Sequence, residues 1–260
     1  MLITSIKQIK TIPKSIVSLV PSQTELLFQL GLAKQTVGIT KFCIYPGEWR
    51  TSKAIVGGTK SVKFTTIKKL NPDLIIANRE ENDKEQIEEL ALEYNVLLTD
   101  VKTLAEANKM ILNIGEITGT KAKAEKITEK ITTLFKNLKL PKGTLNACYL
   151  IWQKPYMTVG GDTFISNMMQ YAGFKNMYAQ KTRYPEVTEK QLKKDGCNIL
   201  LLSSEPYPFS KKDVYELQEQ LPNAKIVMVN GEMFSWYGSK LLEAPDYFKT
   251  LHKEITVSTI

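Results

Sequence analysis

The alternation of short apolar runs with amphipathic stretches is the sequence feature that most constrains the fold. Runs such as SIVSLV (15–20), LIIAN (74–78) and NILLLSS (198–204) are short, rich in branched apolar residues and bounded by turn residues, which is typical of buried strands. Amphipathic stretches such as NDKEQIEELALEY (82–94) follow them along the chain. Because strands that alternate with helices form mainly parallel sheets, the sequence predicts an α/β fold.

One long helical stretch at 120–138 contains no strand, and the strand–helix pattern starts again after it. The segments TIKKLNPDLIIAN (66–78) and EKQLKKDGCNILLLSS (189–204) repeat the order helix, turn, buried strand. We therefore predict two Rossmann-like lobes, residues 1–118 and 141–260, with mainly parallel sheets. A rigid connecting helix at 119–140 joins them, and the ligand cleft lies between the lobes.

Three local features predict how elements begin and where the single histidine lies. Ser22 and Glu25 have the S-x-x-E spacing of a capping box at the start of the first helix. Asp162 follows a glycine pair and is predicted to cap the helix after it. His252 lies in a stretch of the last helix that is predicted to be exposed.

The predicted binding residues lie in the loops after the strands, since ligands of parallel sheets bind beyond the carboxyl ends of the strands. These loops are rich in aromatic residues, which either pack in the core or present large, rigid surfaces to a flat, partly apolar ligand. Basic residues in the same loops can pair with carboxylates or a phosphate. The candidate ligand-binding residues are Ser22, Lys41, Phe42, Tyr45, Gly58, Lys60, Asn78, Arg79, Trp152, Tyr156, Asp162, Phe164, Arg183, Tyr184, Glu205, Tyr207, Phe234, Trp236 and Tyr237.

Composition argues against several other classes of function. The net charge is +8, but the lysines are scattered among glutamates and no nucleic-acid-binding motif is present. With a single histidine, neither a Ser-His-Asp triad nor a histidine-rich metal site is expected, and no nucleotide-binding glycine motif occurs. We therefore expect a protein that is not an enzyme and that has no intrinsic cofactor and no metal site of its own.

The N-terminal stretch MLITSIKQIKTIPK is too polar for the apolar region of a secretory signal, and no apolar run approaches the roughly 20 residues of a membrane span. A chain of this sequence is expected to stay in the cytoplasm unless a leader precedes it. Three distant cysteines without a C-x-x-C motif predict neither a disulfide framework nor a zinc cluster.

The chain resembles the helical-backbone (class III) solute-binding proteins that serve ABC importers of vitamin B12, ferric siderophores and haem. The resemblance rests on IVSLVPSQTELLFQLGL (16–32), NPDLIIA (71–77), GGDTFISNMMQYAGFKN (160–176) and PEVTEKQL (185–192), which occur in the order of that family. It implies two lobes joined by one rigid helix and a cobalt- or iron-containing chelate bound between them. It also implies an ABC permease as partner, a monomeric state and a location in the periplasm or cell envelope.

Proteins of this family dock on the permease through a surface glutamate on each lobe. The nearest counterparts here are Glu85 and Glu189, although a plausible alignment places Lys84 and Lys190 at those positions. One helical position corresponds to a rotation of about 100°, so the neighbouring carboxylates point in another direction. The alternative is therefore a cytoplasmic binding or cofactor-salvage relative that does not dock on an importer, and a less favoured alternative is a doubly wound enzyme.

Overall fold

The computed structural model describes residues 1–3, 6–141 and 145–257, with the side chain of residue 257 not described. These residues divide into two compact units. Unit 1 contains Met1–Val101, Ala105–Ile131 and Tyr237–Lys240, and unit 2 contains Lys102–Leu104, Thr132–Trp236 and the chain from Leu241 onward. The lobe boundaries predicted from the sequence stay a prediction.

Unit 1 is built on a six-stranded sheet, sheet A, in which every described pair of strands is parallel. Along the sheet the strands follow the order β1-β6-β5-β2-β3-β4. In chain order they are β1 (Leu2–Ile3), β2 (Ile16–Ser18), β3 (Thr36–Ile39), β4 (Ala54–Ile55), β5 (Leu74–Asn78) and β6 (Val96–Thr99).

A 3-10 helix at Ile6–Gln8 precedes the first six α-helices of the chain. The long helix predicted at 120–138 is observed as the sixth of them. These helices are α1 (Pro21–Gln29), α2 (Trp49–Ser52), α3 (Phe64–Leu70), α4 (Lys84–Glu93), α5 (Leu104–Ile117) and α6 (Lys121–Lys136).

The capping box predicted at Ser22 and Glu25 is wrong. The residue before α1 is Val20, and it makes no side-chain cap. Pro21 occupies the first helical position, where its fixed φ and missing N–H are tolerated. Ser22 therefore lies inside the first turn of the helix, where its side chain is buried.

Unit 2 contains a mixed sheet, sheet B, with the path β10-β8-β7-β11-β12 and β9 paired to β7. The pairs β7–β11, β11–β12 and β7–β9 are parallel, whereas β8 is antiparallel to both of its neighbours. The strands are β7 (Leu145–Trp152), β8 (Tyr156–Thr158), β9 (Phe174–Asn176), β10 (Glu186–Val187), β11 (Ile199–Ser203) and β12 (Lys225–Val229). Together with sheet A this confirms the α/β fold with mainly parallel sheets.

Two predictions about the helices that follow in the chain are wrong. The first of these helices is capped by Thr163, whose Oγ1 accepts from the Ser166 N–H at 3.2 Å, so the cap predicted at Asp162 is wrong by one position. His252, predicted to be exposed, is buried beside Phe174. The helices are α7 (Phe164–Tyr171), α8 (Glu189–Lys194), α9 (Lys211–Gln220), α10 (Glu232–Ser235) and α11 (Ala244–Val257), with a 3-10 turn at Ser239–Leu242.

Each sheet has its own apolar core. In unit 1 the fully buried side chains of β2 and β5, among them Val17 and Ile75, pack against Ile67 of α3. In unit 2 Leu150, Leu200 and Leu202 form the corresponding cluster. Among the described helices none is long and apolar enough to span a bilayer.

Candidate functional site

The loops at the carboxyl edge of sheet A are held together by a buried amide, Asn82. Its Nδ2 donates to the carbonyl of Leu19 at 3.2 Å and to that of Thr59 at 3.0 Å. Its Oδ1 accepts from the Asn78 N–H at 2.7 Å. One side chain thus joins the loops that follow β2, β4 and β5, and it fixes the edge on which the predicted site of unit 1 lies.

Two of the predicted cations, Lys60 and Arg79, lie at this braced edge. Lys60 Nζ donates to the carbonyls of Glu80 at 2.7 Å and Asn82 at 3.0 Å, so it serves as a second brace. The Arg79 side chain is 70% exposed, and its Nη1 lies 3.4 Å from Asp100 Oδ2. An exposed ion pair of that length contributes little, so the guanidinium can turn to another anion at small cost.

The loop after β3 presents exposed aromatic rings over a buried anchor. Phe42 is 51% exposed and Tyr45 is 43% exposed, whereas Cys43 between them is buried. The Cys43 Sγ lies 3.1 Å from Thr24 Oγ1 and 3.2 Å from Thr40 Oγ1. Burial raises the pKa of the Cys43 thiol, so it stays protonated and anchors the loop.

Phe42 and Lys41 lie against the loop after β4. A Cβ added at Gly58 would lie 3.2 Å from Phe42 Cε2 and 3.5 Å from Lys41 Cε, so a side chain there would crowd the ring. The Lys41 ammonium lies 5.0 Å from the centroid of the Phe42 ring. Lys41, Phe42 and Gly58, three of the predicted contact residues, are therefore brought together.

A strap from late in the sequence, Tyr237–Lys240, completes unit 1. The Tyr237 hydroxyl donates to Glu81 Oε1 at 2.7 Å, and the Ser239 hydroxyl donates to Glu25 Oε2. A Cβ at Gly238 would lie 2.6 Å from the Ser22 carbonyl oxygen, so only glycine allows this approach. Burial is the main cause that raises the pKa of Tyr237, and it keeps the phenol neutral as a donor.

In unit 2 the carboxyl edge of sheet B carries a pair of aromatic rings. Trp152, which ends β7, is 42% exposed. Its ring meets that of Tyr207 edge to face, with centroids 5.8 Å apart. The Tyr207 hydroxyl donates to Gln153 Oε1 at 2.6 Å, and its ring lies 4.8 Å from that of Phe209. Tyr156, also predicted, is half-buried and packs against the core cluster of this unit.

Glu205 follows β11 and accepts hydrogen bonds from two residues that directly precede the strap. Its Oε1 accepts from Ser235 Oγ at 2.5 Å and from Trp236 Nε1 at 2.9 Å. Burial nevertheless raises the pKa of Glu205, because these hydrogen bonds offset the desolvation only in part. Trp236 is buried, and Phe234 is packed between Tyr149 and the last helix.

The glycine pair predicted in the second lobe allows two stretches of backbone to pass closely. A Cβ at Gly160 would lie 2.5 Å from the Lys181 carbonyl oxygen, and one at Gly161 would lie 2.1 Å from that of Ala179. Asp162 Oδ1 then accepts from the Arg183 N–H at 2.7 Å. The Arg183 guanidinium lies 5.8 Å from the centroid of the Tyr184 ring. The predicted residues Asp162, Arg183 and Tyr184 are therefore close together.

The predicted contact residues thus fall into two groups by exposure. The exposed or half-exposed ones are Lys41, Phe42, Tyr45, Lys60, Arg79, Trp152, Tyr156, Asp162, Arg183, Tyr184, Glu205 and Tyr207. The buried ones are Ser22, Gly58, Asn78, Phe164, Phe234, Trp236 and Tyr237. Asn82 and Gln153 are not among the predicted binding residues, although each is a polar amide within four residues of a strand end.

In the described part of the chain, no three His, Cys, Asp or Glu side chains are grouped as a metal site. The two carboxyl edges therefore offer aromatic surface, a few cations and carboxylates that are already hydrogen-bonded. Each edge by itself is suited to contacting a ligand that has some apolar surface.

Comparison with known proteins gives a consistent result. Residues 16–222 match the family model described as periplasmic binding protein. The chain is 26% identical to the uncharacterized ABC transporter substrate-binding lipoprotein YvrC of Bacillus subtilis (strain 168), covering 93% of this chain and 83% of that protein. It is 23% identical to the vitamin B12-binding protein of Pectobacterium carotovorum subsp. carotovorum (strain PC1), covering 90% and 86%.

Among solved structures, the periplasmic haem-binding protein HutB of Vibrio cholerae superposes with a TM-score of 0.77 at 20% identity. The match covers 91% of this chain and 98% of that one. At this level of identity the likeness concerns the fold.

Proposed function

Because the chain belongs to the periplasmic binding protein family, as the resemblance in its sequence implied, we propose that it is the solute-binding component of an ABC importer. Its solute is a metal–organic chelate, namely a corrinoid such as vitamin B12, a ferric siderophore or haem. The names of two relatives support this proposal, since one is a vitamin B12-binding protein and the other a haem-binding protein. The protein acts by binding its solute and not by catalysis.

The observation that carries the proposal is the pair of exposed aromatic surfaces on braced loops. In unit 1 Phe42 and Tyr45 are exposed above the anchored Cys43, and in unit 2 Trp152 is exposed beside Tyr207. Aromatic rings that are fixed before binding lose little entropy when a flat ligand stacks on them. The cobalt or iron is already coordinated within the chelate, so the protein is not required to supply a set of metal ligands.

Cations at the same edges account for binding of the chelate's carboxylates or phosphate. Lys41 and Arg79 are the strongest candidates, because both are exposed and Arg79 has only a long ion pair to give up. Lys60 already donates to two carbonyls, which makes it the weakest of the four predicted cations. The Arg183 backbone N–H donates to Asp162, and the residue is exposed at the surface of the loop.

Trp152 provides the direct test of this function. A tryptophan with 42% of its surface exposed has roughly 100 Å² that a ligand can cover, worth about 2.5 kcal/mol. The variant Trp152→Ala should therefore bind its chelate tens of times more weakly. Calorimetric titration with cyanocobalamin, haemin and ferric hydroxamate chelates measures the Kd. Tyr215→Ala is the matched control, because Tyr215 is a 71% exposed aromatic residue on α9, outside these loops.

Two results would contradict the proposal. One is that none of the three chelate classes binds the wild-type protein, and the other is that Trp152→Ala and Tyr215→Ala bind equally well. Native mass spectrometry of protein from its own host identifies the chelate, because a bound cobalt or iron complex adds a defined mass.

We further propose that the protein works in the cell envelope and docks on its permease through Glu85 and Glu189. Each lies in the first turn of a helix that starts at a side-chain cap, Asp83 before α4 and Thr188 before α8. Charge reversal at Glu85 and Glu189 should abolish stimulation of the reconstituted importer's ATPase activity without changing the Kd for solute. Reversal of Glu219, an exposed residue of α9, is the control.

A further inference from the structure

The N-terminal segment Ile6–Lys14 has a period of three that the solute-binding function does not explain. It reads IKQ-IKT-IPK, with isoleucine at 6, 9 and 12 and lysine at 7 and 10. The segment begins as the 3-10 helix Ile6–Gln8, in which residues three apart lie on the same side. The repeat therefore predicts an apolar stripe beside a basic stripe.

This segment lies at the amino edge of sheet A, opposite to the loops of the candidate site. The Lys14 N–H donates to Asp73 Oδ2 at 2.7 Å; β2 begins two residues after Lys14, and β5 begins directly after Asp73. A surface here is thus separated from the carboxyl edge by the length of the strands.

The segment and the end of α5 enclose a groove of about 400 Å³. Ile6, Ile9, Ile12 and Ile117 give it apolar sides, and the exposed Lys7 and Lys10 line it as well. Glu116 also lines the groove, and its carboxylate is paired with Lys121 Nζ at 3.2 Å. Lys7 and Lys10 therefore give the groove a net positive charge.

Apolar side chains extend from this groove onto the surface. Ile12 is 60% exposed, and it is seated on Gly119, where an added Cβ would lie 2.8 Å from Ile12 Cδ1. Met1 is 47% exposed and lies beside the 3-10 helix, with its Sδ 3.8 Å from Gln8 Nε2. Exposed apolar groups next to unneutralised lysines are typical of elements that lie in a membrane interface.

We propose that this face, the IKx face (Ile6, Lys7, Ile9, Lys10 and Ile12), docks on a bilayer surface that contains anionic phospholipid. Ile12 and its neighbours enter the boundary between headgroups and acyl chains, and Lys7 and Lys10 contact lipid phosphates. Charge complementarity favours this occupant, since the two lysines lie directly beside the apolar stripe. Because Glu85 lies at the opposite, carboxyl edge of sheet A, contact with lipid and docking on the permease are alternative states of the protein.

Sedimentation with vesicles tests the proposal. The wild-type protein should bind vesicles of phosphatidylcholine with 30% phosphatidylglycerol at 0.15 M salt and should not bind pure phosphatidylcholine. Because each lysine near an anionic surface contributes about fivefold, Lys7→Gln together with Lys10→Gln should weaken partitioning roughly 30-fold.

The matched control is Lys63→Gln together with Lys84→Gln, two exposed lysines at the carboxyl edge of sheet A whose loss gives the same net charge. At 0.15 M salt charges act over about 8 Å, so this variant should bind like the wild type. For the apolar stripe, Ile12→Ser should weaken binding severalfold, whereas Ile44→Ser, at a 40% exposed position in the loop after β3, should not. The proposal is overturned if the wild type stays in the supernatant or if the paired variants lose binding equally.

Discussion

Replacing Asn82 by alanine tests whether one amide holds the carboxyl edge of unit 1. Asn82 is 4% exposed, and its side chain serves the backbone of Leu19, Thr59 and Asn78. Alanine removes both the donor and the acceptor and leaves three backbone groups without the partner they had. Asn78 is itself only 1% exposed, so water does not readily replace the lost acceptor at its N–H.

The expected loss follows from the number of hydrogen bonds. Each net hydrogen bond contributes about 1 kcal/mol, and a buried group left without its partner costs about 1–3 kcal/mol. Three bonds therefore predict that Asn82→Ala lowers the free energy of unfolding by roughly 3 kcal/mol. Asn95→Ala is the matched control, because Asn95 is exposed and donates a single 3.3 Å bond to the Asp73 carbonyl. That variant should lose less than about 1 kcal/mol.

Urea denaturation gives the free energy of unfolding, and hydrogen exchange measured by mass spectrometry locates the loss. Because about 1.4 kcal/mol corresponds to a factor of ten, peptides that cover β2 and β5 should exchange more than about a hundredfold faster in Asn82→Ala. Peptides from sheet B should be unchanged. If Asn82→Ala were as stable as Asn95→Ala, the loops would be held by other contacts and the brace described here would be refuted.

Three further predictions follow from other contacts. Tyr237→Phe removes the donor to Glu81 and should lower the free energy of unfolding by about 1–2 kcal/mol, whereas Tyr215→Phe at the surface should not. Gly161→Ala places a Cβ 2.1 Å from the Ala179 carbonyl oxygen and should cost about 1–3 kcal/mol, whereas Gly47→Ala, with nothing within 4 Å, should be neutral in thermal melts. Burial lowers the pKa of His252, so the unfolded chain takes up a proton first, near pH 6.5. Stability should therefore decline as the pH falls below about 6.5 and level off below the folded pKa, and urea titrations of His252→Gln should lack this decline.

Much of the fold could be predicted because its strands are continuous apolar runs. β5 was predicted at 74–78 and is observed at Leu74–Asn78, since Pro72 and Asp73 mark its start and a polar loop its end. By contrast, β8, β9 and β10 have two or three residues each and carry no periodic pattern to recognise. The order of strands within each sheet likewise depends on pairings between residues far apart in sequence.

The loops that carry the candidate site could be predicted, but the exposure of their side chains could not. The loops after the strands were identified correctly as the carboxyl edges, because that rule depends only on strand direction. Whether a ring there is exposed depends on distant partners. Trp152 is exposed, whereas Trp236 is buried and bound to Glu205, 31 residues away, and Tyr237 to Glu81, 156 residues away. No local pattern reports such contacts.

The strap also has a consequence for how the protein is made. Because Tyr237–Lys240 belongs to unit 1, the first half of the chain lacks its donors to Glu25 and Glu81 until nearly the whole polypeptide has been translated. At ribosomal speeds of about 5–20 residues per second, the time between completion of the earlier part of unit 1 and synthesis of the strap is roughly 5–20 s. Throughout it, the nascent N-terminal sheet has two carboxylates whose hydroxyl partners do not yet exist, so its final closure is a late event of biogenesis.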